Sequence, residues 1–473
     1  MATIPILGLG IQGRSPNVTA QKRLNLLLDV QPEGDKTRVA AYGTPGTTLF
    51  YSFGNLPVRG WRWMQSVNLL FVVVGGYLYE ITPAVAVTNR GALASLSSFV
   101  SLSDNGTQLL IVDGSKGYVY TPGTTTFTTI TDVDFPAADT CTFLDGYFIV
   151  NRINTGQFWV SDLYNGLSWN GLWYATAESN PDNLVSVVAN DGLLILLGEV
   201  SIEFWQDSGA LDFPFAKITG SSNEVGLASK WTLARCGGFI TFLAKTRRGG
   251  YSIMRINGYQ TEVISPPELA YNINHYAAPA DSVAFSYVMN GKDFYQITFQ
   301  ADNETWLYDA TVGTWSRLKT YGHERHMALF GLAFNGLVLV SDHENGNIYV
   351  LDDQVYSDNG FPIERELIGP HVWDARSLNK TIISRLRIDM EGGVGITSGQ
   401  GSDPQVMLQI SRDGGHTWGG ELWTSLGSIG KYAQRAEWRR LGLSRDWLFK
   451  LRLTDPVKPV VIGAYAEIRT ANR

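Results

Sequence analysis

The chain has 473 residues, of which 50 are glycine and 12 % are aromatic, and only 17 % are charged. This composition excludes a disordered chain, which would be poor in apolar residues and rich in charge, and it argues against a helical bundle. Two cysteines exclude a disulfide scaffold, and a net charge of −7 argues against a dedicated nucleic-acid-binding protein. Glycine and aromatic residues are instead what short strands and tight turns require.

The net charge is unevenly distributed along the chain. Residues 364–473 contain 16 basic and 12 acidic side chains and so carry a net charge of +4, whereas residues 1–363 carry −11. This asymmetry predicts two modules with different surroundings.

Residues 1–50 contain several prolines and glycines and predict an extended N-terminal arm. The arm would pack on the domain that follows it or, in an oligomer, on a neighbouring copy. Its first residues lack the basic region of a secretory signal, and the longest apolar stretch, residues 69–79, is too short to span a bilayer. We therefore expect synthesis in the cytoplasm and no membrane insertion. The turn-forming residues of the arm are Pro16, Pro32, Gly34, Pro45 and Gly46.

A loose repeat runs through residues 51–363. Each unit has an apolar strand, a turn, a second strand and an aromatic-rich strand, and seven units recur at about 40–45 residues, which is the blade period of a β-propeller. Each four-stranded sheet of a propeller packs against two neighbours, and the ring leaves few edges exposed. We predict a β-propeller of six or seven blades over residues 51–363, and a set of β-sandwiches is the alternative.

Turn signals are frequent along the chain, whereas helical periodicity is nearly absent. Asn-Gly occurs eight times and Asp-Gly four times, and these dipeptides tolerate the positive φ values that two-residue hairpins require. The best helix candidate begins at Pro266 and extends to about Tyr276, with Ser265 and Glu268 as a predicted capping box.

Residues 364–473 differ from the preceding repeat. Segments 381–388, 405–410 and 448–453 alternate apolar and polar residues at period two, so each predicts a strand with one buried and one solvated face. Together with residues 459–468 they predict a compact C-terminal antiparallel β-sandwich, and the fold class of the whole chain is all-β.

One segment of the predicted sandwich matches the Asp-box pattern S-x-D-x-G-x-x-W, with Ser411, Asp413, Gly415 and Trp418 at its four positions. The aspartate of such a hairpin caps the turn, the glycines adopt unusual φ values and the tryptophan packs beneath. Sialidases and other glycosidases carry several Asp boxes in their propellers, away from the catalytic centre. This chain has one, outside the predicted propeller, so we interpret it as a structural hairpin.

Residues that could carry chemistry are sparse. His323 and His326 lie three positions apart, and Asp342 and His343 precede an Asn-Gly turn, but neither stretch offers an obvious set of metal ligands. The sequence contains no nucleotide-binding, serine-hydrolase, zinc-protease or dinucleotide-binding motif. It also gives no basis for choosing the carboxylate pair that a glycosidase needs. We therefore predict no catalytic residue, no cofactor and no metal site, and hence no enzyme.

The densest group of basic residues lies in the predicted sandwich, interleaved with aromatic side chains. The solvated faces of strands would explain it, and so would a surface that meets an acidic partner protein or passing DNA. The sequence does not separate these interpretations. The basic residues are Lys431, Arg435, Arg439, Arg440, Arg445, Lys450 and Arg452.

Several segments together carry a resemblance to one protein family. Two lie in the predicted arm, at residues 23–26 and 43–46, and others lie at residues 264–267, 430–432 and 438–442. The most specific is an A-E-S-x-P-D stretch, followed by the run at residues 201–205, and its residues are Ala177, Glu178, Ser179, Pro181 and Asp182. In their order and spacing, these segments resemble the packaged-DNA stabilisation proteins of short-tailed bacteriophages, also called tail hub or nozzle proteins.

The resemblance implies a structural protein of the virion tail, synthesised in the host cytoplasm, rather than an enzyme. By this resemblance, copies of the chain, usually six, would form a ring that lies below the portal and its adaptor protein and extends the DNA channel. The ring helps to retain packaged double-stranded DNA without sequence specificity, and tail spikes or fibres attach around it. An acidic chain with few positive clusters suits a conduit through which DNA slides.

Two other functions remain open from the sequence. The Asp box and the predicted propeller would also fit a sialidase-like glycosidase, and exposed Trp and Tyr side chains would fit a carbohydrate-binding module. Repeated Asp boxes in the predicted blades would have favoured the glycosidase.

Overall fold

The computed structural model describes residues 1–31 and 36–471, and nearly all of its regular structure is β. The predicted all-β class is therefore confirmed. Its helical segments are α1 (Pro267–Ile273) and two 3₁₀ turns (Lys230–Thr232 and Pro279–Asp281). The predicted capping box is wrong, because Ser265 Oγ accepts a hydrogen bond from the Ile253 amide and Pro266 takes the N-cap position.

The described part of the N-terminal segment, up to Ser52, forms five strands where the sequence predicts an extended arm. Four of these strands enter sheets that also contain C-terminal strands, and the fifth completes a propeller blade. Their partners lie far away along the chain, so periodicity within such short segments does not reveal them. Pro32 and Gly34 of the predicted arm lie outside the described residues. The strands are β1 (Ala2–Ile4), β2 (Lys22–Leu24), β3 (Leu26–Val30), β4 (Val39–Gly43) and β5 (Gly46–Ser52).

Four consecutive antiparallel sheets follow, and each is one blade of the propeller. Blade 1 consists of β6 (Val58–Met64), β7 (Leu69–Val74), β8 (Tyr77–Ile81) and β9 (Val87–Ala92). Blade 2 consists of β10 (Ser101–Asp104), β11 (Leu109–Val112), β12 (Gly117–Thr121) and β13 (Thr126–Thr129). Blade 3 consists of β14 (Cys141–Leu144), β15 (Tyr147–Asn151), β16 (Gln157–Asp162) and β17 (Asn165–Thr176). Blade 4 consists of β18 (Leu184–Asn190), β19 (Leu193–Gly198), β20 (Ile202–Asp207) and β21 (Phe215–Lys217).

Three further blades bring the number in the described residues to seven, within the predicted range of six or seven. Blade 5 consists of β22 (Val225–Leu227), β23 (Ala234–Cys236), β24 (Phe239–Thr246), β25 (Tyr251–Asn257) and β26 (Gln260–Val263). Blade 6 consists of β27 (Ser282–Met289), β28 (Lys292–Phe299), β29 (Glu304–Asp309) and β30 (Thr314–Leu318). Blade 7 consists of β31 (Ala328–Phe334), β32 (Leu337–Asp342) and β33 (Asn347–Asp352), together with β5.

The ring closes through a strand from the N-terminal segment. β5 pairs antiparallel with β33, from Asp352 opposite Gly46 to Asn347 opposite Ser52, and β31 of blade 7 contacts β6 of blade 1. The propeller strands therefore begin at Gly46, a few residues before the predicted boundary at residue 51. Blade interiors are apolar because neighbouring blades cover both faces of each sheet: all four residues of β11, for example, are buried.

Five of the twelve Asn-Gly and Asp-Gly dipeptides, all of which lie in the described residues, form the predicted two-residue hairpins. In each, both turn residues have positive φ values, and the flanking residues are paired across the hairpin. The dipeptides begin at Asp145, Asp191, Asn290, Asn335 and Asn359.

The C-terminal domain is a β-sandwich of two sheets, as predicted. One sheet has the order β3-β4-β43-β38-β41 with β1 beside β43, and the other has the order β36-β42-β39-β40 with β37 beside β42. Side chains from both sheets, among them Leu386, Trp438 and Phe449, form one apolar core. The short hairpin of β34 (Ser357–Asp358) and β35 (Phe361–Pro362) adds to the edge of β5. The remaining strands are β36 (Arg365–Ile368), β37 (Val372–Trp373), β38 (Thr381–Met390), β39 (Gln405–Ser411), β40 (Leu422–Ser425), β41 (Ala436–Ser444), β42 (Asp446–Leu453) and β43 (Val460–Thr470).

The two domains share a continuous sheet. β2 pairs parallel with β30 of blade 6 and antiparallel with β36 of the sandwich, which gives a ten-stranded sheet in this part of the described chain. The buried Arg23 donates hydrogen bonds to the carbonyl oxygens of Gly8 and Trp315, at 2.5 and 2.7 Å. The N-terminal segment therefore joins the domains through both backbone and side-chain contacts.

Candidate functional site

The A-E-S-x-P-D stretch forms the loop between β17 and β18, and blade 4 holds it through Glu203. The Glu203 carboxylate is buried and accepts hydrogen bonds from the Ser179 amide, from Trp205 Nε1 at 2.9 Å and from Lys217 Nζ at 3.0 Å. Burial opposes ionisation of Glu203, but the hydrogen bonds from Ser179, Trp205 and Lys217 outweigh it and hold its pKa below the usual value. Glu203 therefore clamps the loop as a carboxylate.

A second carboxylate anchors the other end of this loop. Asp182 accepts hydrogen bonds from the Val200 amide at 2.8 Å and from Ser201 Oγ at 2.9 Å. Glu178 and Pro181 face solvent, and the Ala177 amide donates to the Gly156 carbonyl. The two segments of the family resemblance in this region thus form one structural unit, which gives this spacing a stabilising role.

The Asp box forms a closed hydrogen-bond network in the turn after β39. Asp413 accepts hydrogen bonds from Ser411 Oγ at 2.7 Å, from the Thr417 amide at 2.9 Å and from Thr417 Oγ1 at 2.6 Å. The hydrogen bonds from Thr417 and Ser411 hold the pKa of Asp413 well below its usual value. The carboxylate is therefore occupied by its own turn.

The Asp-box turn packs against the N-terminal segment. Gly415 has a φ of +97°, and a Cβ atom there would lie 3.3 Å from the Cβ of Ala20 and 3.4 Å from that of Pro16. Trp418 is half-buried, with Lys450 Nζ 4.3 Å from its ring centroid. This geometry makes the Asp box a support for residues 16–20.

The basic residues of the sandwich lie along one strand and its flanks. Lys431 and Arg435 precede β41, Arg439 and Arg440 lie within it, and Arg445 follows it; all five are exposed. The nine-residue strand is about 30 Å long, and the five exposed residues on it and its flanks are here called the basic stripe. Lys450 and Arg452 lie on β42 in the other sheet, which separates them from this stripe.

One acidic residue, Glu437, partly neutralises the stripe. Arg439 Nε and Arg387 Nη2 each lie 2.9 Å from a carboxylate oxygen of Glu437. Arg440 has a φ of +60° and lies at a register shift between β38 and β41, so a bulge interrupts the strand at this position.

An aromatic cluster crosses the propeller axis. The Trp231 ring lies 5.4 Å from the Phe99 ring, and the Phe99 ring lies 5.1 Å from the Phe330 ring, centroid to centroid. Phe99 comes from the connection between blades 1 and 2, Trp231 from blade 5 and Phe330 from blade 7. Side chains from opposite sides of a ring meet only near its axis, so the cluster blocks the channel.

Cavities lie on both sides of this cluster. The inner strands line one of about 650 Å³, which Phe330 borders, and Phe99 borders another of about 500 Å³; Trp231 borders both. Charged side chains that border these cavities form ion pairs. Arg62 pairs with Asp104 at 2.7 Å, and Lys230 pairs with Asp139.

The two histidine-containing stretches of the sequence meet in the structure, although no set of ligands was expected from either alone. His323 lies in the connection between blades 6 and 7, and His343 and Glu344 lie in the turn between β32 and β33; the three side chains converge. His326 points instead into the core, where Gln296 Nε2 lies 3.3 Å from its Nδ1 atom. The sequence shows no local signal for this convergence, because both β31 and β32 intervene between His323 and His343.

The two cysteines occupy core positions. Cys141 and Cys236 are both buried and carry free thiols, and burial raises the pKa of each to about 12. Both thiols are therefore protonated near neutral pH. Among the helices of residues 1–31 and 36–471, none has the length and apolar character that crossing a bilayer requires.

Comparison with known proteins identifies the family of this chain. The solved structures similar to this chain include the WD40 domain of Neurospora crassa Pan2, at 10 % identity and a TM-score of 0.42, covering 65 % of this chain and 94 % of that one. They also include the β-propeller domain of Myceliophteria thermophila Cps50 (Swd1), at 10 % identity and a TM-score of 0.43, covering 64 % of this chain and 98 % of that one. At these scores the blade count rests on the strand pairing described above. A search of curated proteins found no match.

Family models match both domains in order. The model described as bacteriophage P22 Gp10, beta-propeller, matches residues 5–356, and the model described as bacteriophage P22 Gp10, beta-sandwich, matches residues 364–469. Together they span the propeller and the sandwich found here and agree with the tail hub resemblance of the sequence. The chain therefore belongs to the bacteriophage P22 Gp10 family of phage structural tail proteins.

Proposed function

We propose that this protein is a tail hub subunit that assembles with further copies, six by the family resemblance, into a ring below the portal and its adaptor protein. The ring extends the DNA channel, helps to retain packaged DNA and carries tail spikes or fibres, so the protein resides in the virion tail. The observation that carries the proposal is the match of both domains, in order and over nearly the whole chain, to one phage family.

The blocked propeller axis supports a DNA path outside the single propeller. A DNA duplex is far too wide to pass along the axis of one propeller. There an aromatic cluster separates two cavities of about 650 and 500 Å³. The DNA channel is therefore formed between copies of the chain, with each propeller acting as a solid wall. This arrangement requires a ring, because one subunit offers no closed passage of sufficient width.

The charge distribution fits such a conduit. Residues 1–363, which include the propeller, carry a net charge of −11, so the wall repels phosphates overall and lets DNA slide. The sandwich carries the basic stripe of β41, with Arg439 and Arg440 exposed at its centre. We assign this stripe to an acidic neighbouring protein of the tail, since a rim of complementary charge guides docking.

Charge reversal tests the role of the stripe. Arg439→Glu combined with Arg440→Glu should reduce incorporation into tail-less particles by about tenfold or more, because like charges would then face each other at the interface. Arg376→Glu is the matched control, since Arg376 is exposed on a different loop of the same domain. Arg440→Glu alone keeps the Arg439–Glu437 ion pair and should show an intermediate loss. Normal incorporation of a correctly folded double variant would exclude this role.

Electron microscopy of the virion tests the proposed function as a whole. We expect ring density for this chain directly below the portal and adaptor, with the DNA path enclosed by several copies. Particles made without the protein should package DNA and then lose it to added nuclease. Density elsewhere in the particle, or full DNA retention without the protein, would contradict the proposal.

The Asp413 carboxylate is engaged by Ser411 and Thr417 of its own turn, which is a hairpin-stabilising arrangement. The single Asp box therefore has a structural role and gives no positive support to the glycosidase alternative.

A further inference from the structure

Three potential metal-ligand side chains converge where the connection between blades 6 and 7 passes the β32–β33 turn. One ligand atom from each of His323, His343 and Glu344 can be chosen so that all lie within 4.8 Å of one another. The Glu344 Oε1 atom lies 3.6 Å from His323 Nδ1 and 3.6 Å from His343 Nε2. The imidazole ring centroids are 5.9 Å apart, with the ring planes 84° from parallel.

These separations fit a shared metal ion. Zinc bonds to histidine nitrogen and carboxylate oxygen are about 2.0–2.2 Å long, and tetrahedral angles then place neighbouring ligand atoms about 3.3–3.6 Å apart. The two distances from Glu344 Oε1, each 3.6 Å, already approach this spacing. Small rotations of half-exposed side chains would complete it, and both His323 and Glu344 are partly open to solvent, at 38 % and 56 % exposure.

The hydrogen bond of His343 prepares its ring for coordination. Its Nδ1 atom lies 3.1 Å from the carbonyl oxygen of Met327. Because a carbonyl only accepts, Nδ1 carries the proton, and the lone pair of Nε2 is directed toward Glu344. A backbone carbonyl that fixes the tautomer of a ligating histidine is a recurrent feature of metal sites.

Other charged groups nearby affect how strongly these three side chains would bind a cation. Asp342 Oδ1 lies 3.6 Å from His343 Nδ1 and adds negative charge, whereas Arg325 interacts with both Glu344 and Asp342 and opposes a cation. Glu344 is thus approached by a guanidinium and by two imidazoles, and the imidazole nitrogens that lie 3.6 Å from the same carboxylate oxygen are the donors that a metal ion would use.

We propose that His323, His343 and Glu344 form a binding site for a divalent transition-metal ion, with zinc as the best fit. Two imidazoles and one carboxylate are typical zinc ligands, whereas calcium and magnesium prefer oxygen ligands alone. Water or a group from a neighbouring protein occupies the fourth position on the solvent side. The metal fastens the blade 6–blade 7 connection to blade 7, the blade through which the ring closes.

Zinc binding to the purified full-length protein, measured by isothermal titration calorimetry, tests the site. We expect one zinc ion per chain, with binding weakened about tenfold or more by His323→Ala and by Glu344→Gln. His275→Ala is the matched control, because His275 is also exposed and lies in a different blade connection. Excess zinc should raise the unfolding temperature of the wild type and of His275→Ala, and raise it less for the two ligand variants.

Cobalt(II) provides a readout that a general change in stability would not mimic. A cobalt complex of the wild type should show the visible absorption of a four- or five-coordinate site, and His323→Ala should lose it. The inference is overturned if the wild type binds no stoichiometric zinc, or if His323→Ala and Glu344→Gln bind zinc as the wild type does.

Discussion

Asn25 and Glu364 are joined across the domain boundary by a hydrogen bond of 2.8 Å from Asn25 Nδ2 to the Glu364 carbonyl oxygen. The same Nδ2 group donates to the Lys319 carbonyl at 2.8 Å, and Asn25 Oδ1 accepts the Lys319 amide at 3.0 Å. Lys319 follows the last strand of blade 6, and Glu364 precedes the first strand of the sandwich. One buried amide thus satisfies backbone groups of both domains.

We predict that Asn25→Ala lowers the free energy of unfolding by about 2–4 kcal/mol, because two carbonyls and one amide lose their partner in a buried site. Urea unfolding followed by tryptophan fluorescence measures the change. Asn303→Ala is the control, since Asn303 has the same φ of 52° as Asn25 but an exposed side chain. Equal effects of the two substitutions would mean that backbone conformation, and not the hydrogen bonds, determines the loss.

The Glu203 clamp leads to a second prediction. Glu203→Gln should destabilise the protein by about 1–3 kcal/mol, because the amide loses the charge that Lys217 faces and has only one acceptor for several donors. The measurement is again the urea midpoint. Glu178→Gln alters an exposed carboxylate of the same loop and should change stability by less than about 0.5 kcal/mol. An unchanged urea midpoint for Glu203→Gln would contradict the clamping role of Glu203.

Asp358 is buried beside the domain junction, and Arg365 is buried nearby. Burial raises the pKa of Asp358 to about 7, although the Arg365 guanidinium acts in the opposite direction. The Oδ1 atom of Asp358 has no hydrogen-bond partner among the described residues. Burial outweighs the opposing effects of Arg365 and Thr47 and favours the protonated carboxyl in the folded protein.

This burial predicts a specific dependence on pH. Between the ordinary pKa of 3.8 and the folded value of about 7, the folded state holds a proton that the unfolded state releases, so stability falls as pH rises through this window. An asparagine side chain cannot ionise. The free energy of unfolding of Asp358→Asn should therefore exceed that of the wild type by about 1–4 kcal/mol at pH 8 and equal it near pH 4. Urea midpoints of both proteins from pH 4 to 8 measure the difference. A difference that stays constant across the range would show that Asp358 does not titrate there.

Local patterns predicted much of the architecture. The repeat units found in the sequence correspond in order to the seven blades, because at least three strands of each blade are a local antiparallel run joined by short turns. Asp145 with Gly146 and Asn290 with Gly291 form their hairpins because the turn chemistry is contained in two residues. The period-two strands of the sandwich appear as β38, β39, β42 and β43.

Contacts between distant segments could not be predicted in the same way. The three residues of β2 are too few to show periodicity, and their strand partners lie near residues 317 and 367. Likewise, the convergence of His323 with His343 depends on how a blade connection passes a turn of the next blade. Of the five basic residues near β41, only Arg439 and Arg440 lie within the strand, and the other three lie on its flanks, which the spacing in the sequence did not reveal.

The pairing of N-terminal strands with strands from the far end of the chain also constrains how the chain acquires its structure. Blade 7 and the sandwich each need β-strands from the N-terminal segment, which ends at Ser52, together with strands from beyond residue 327. During translation β3 and β4 can pair with each other, but β1 and β5 and the free edge of β4 must wait until their partners leave the ribosome. Premature association of these waiting edges with other chains is then the main hazard of biosynthesis, and completion of the last strands commits both domains to their final form together.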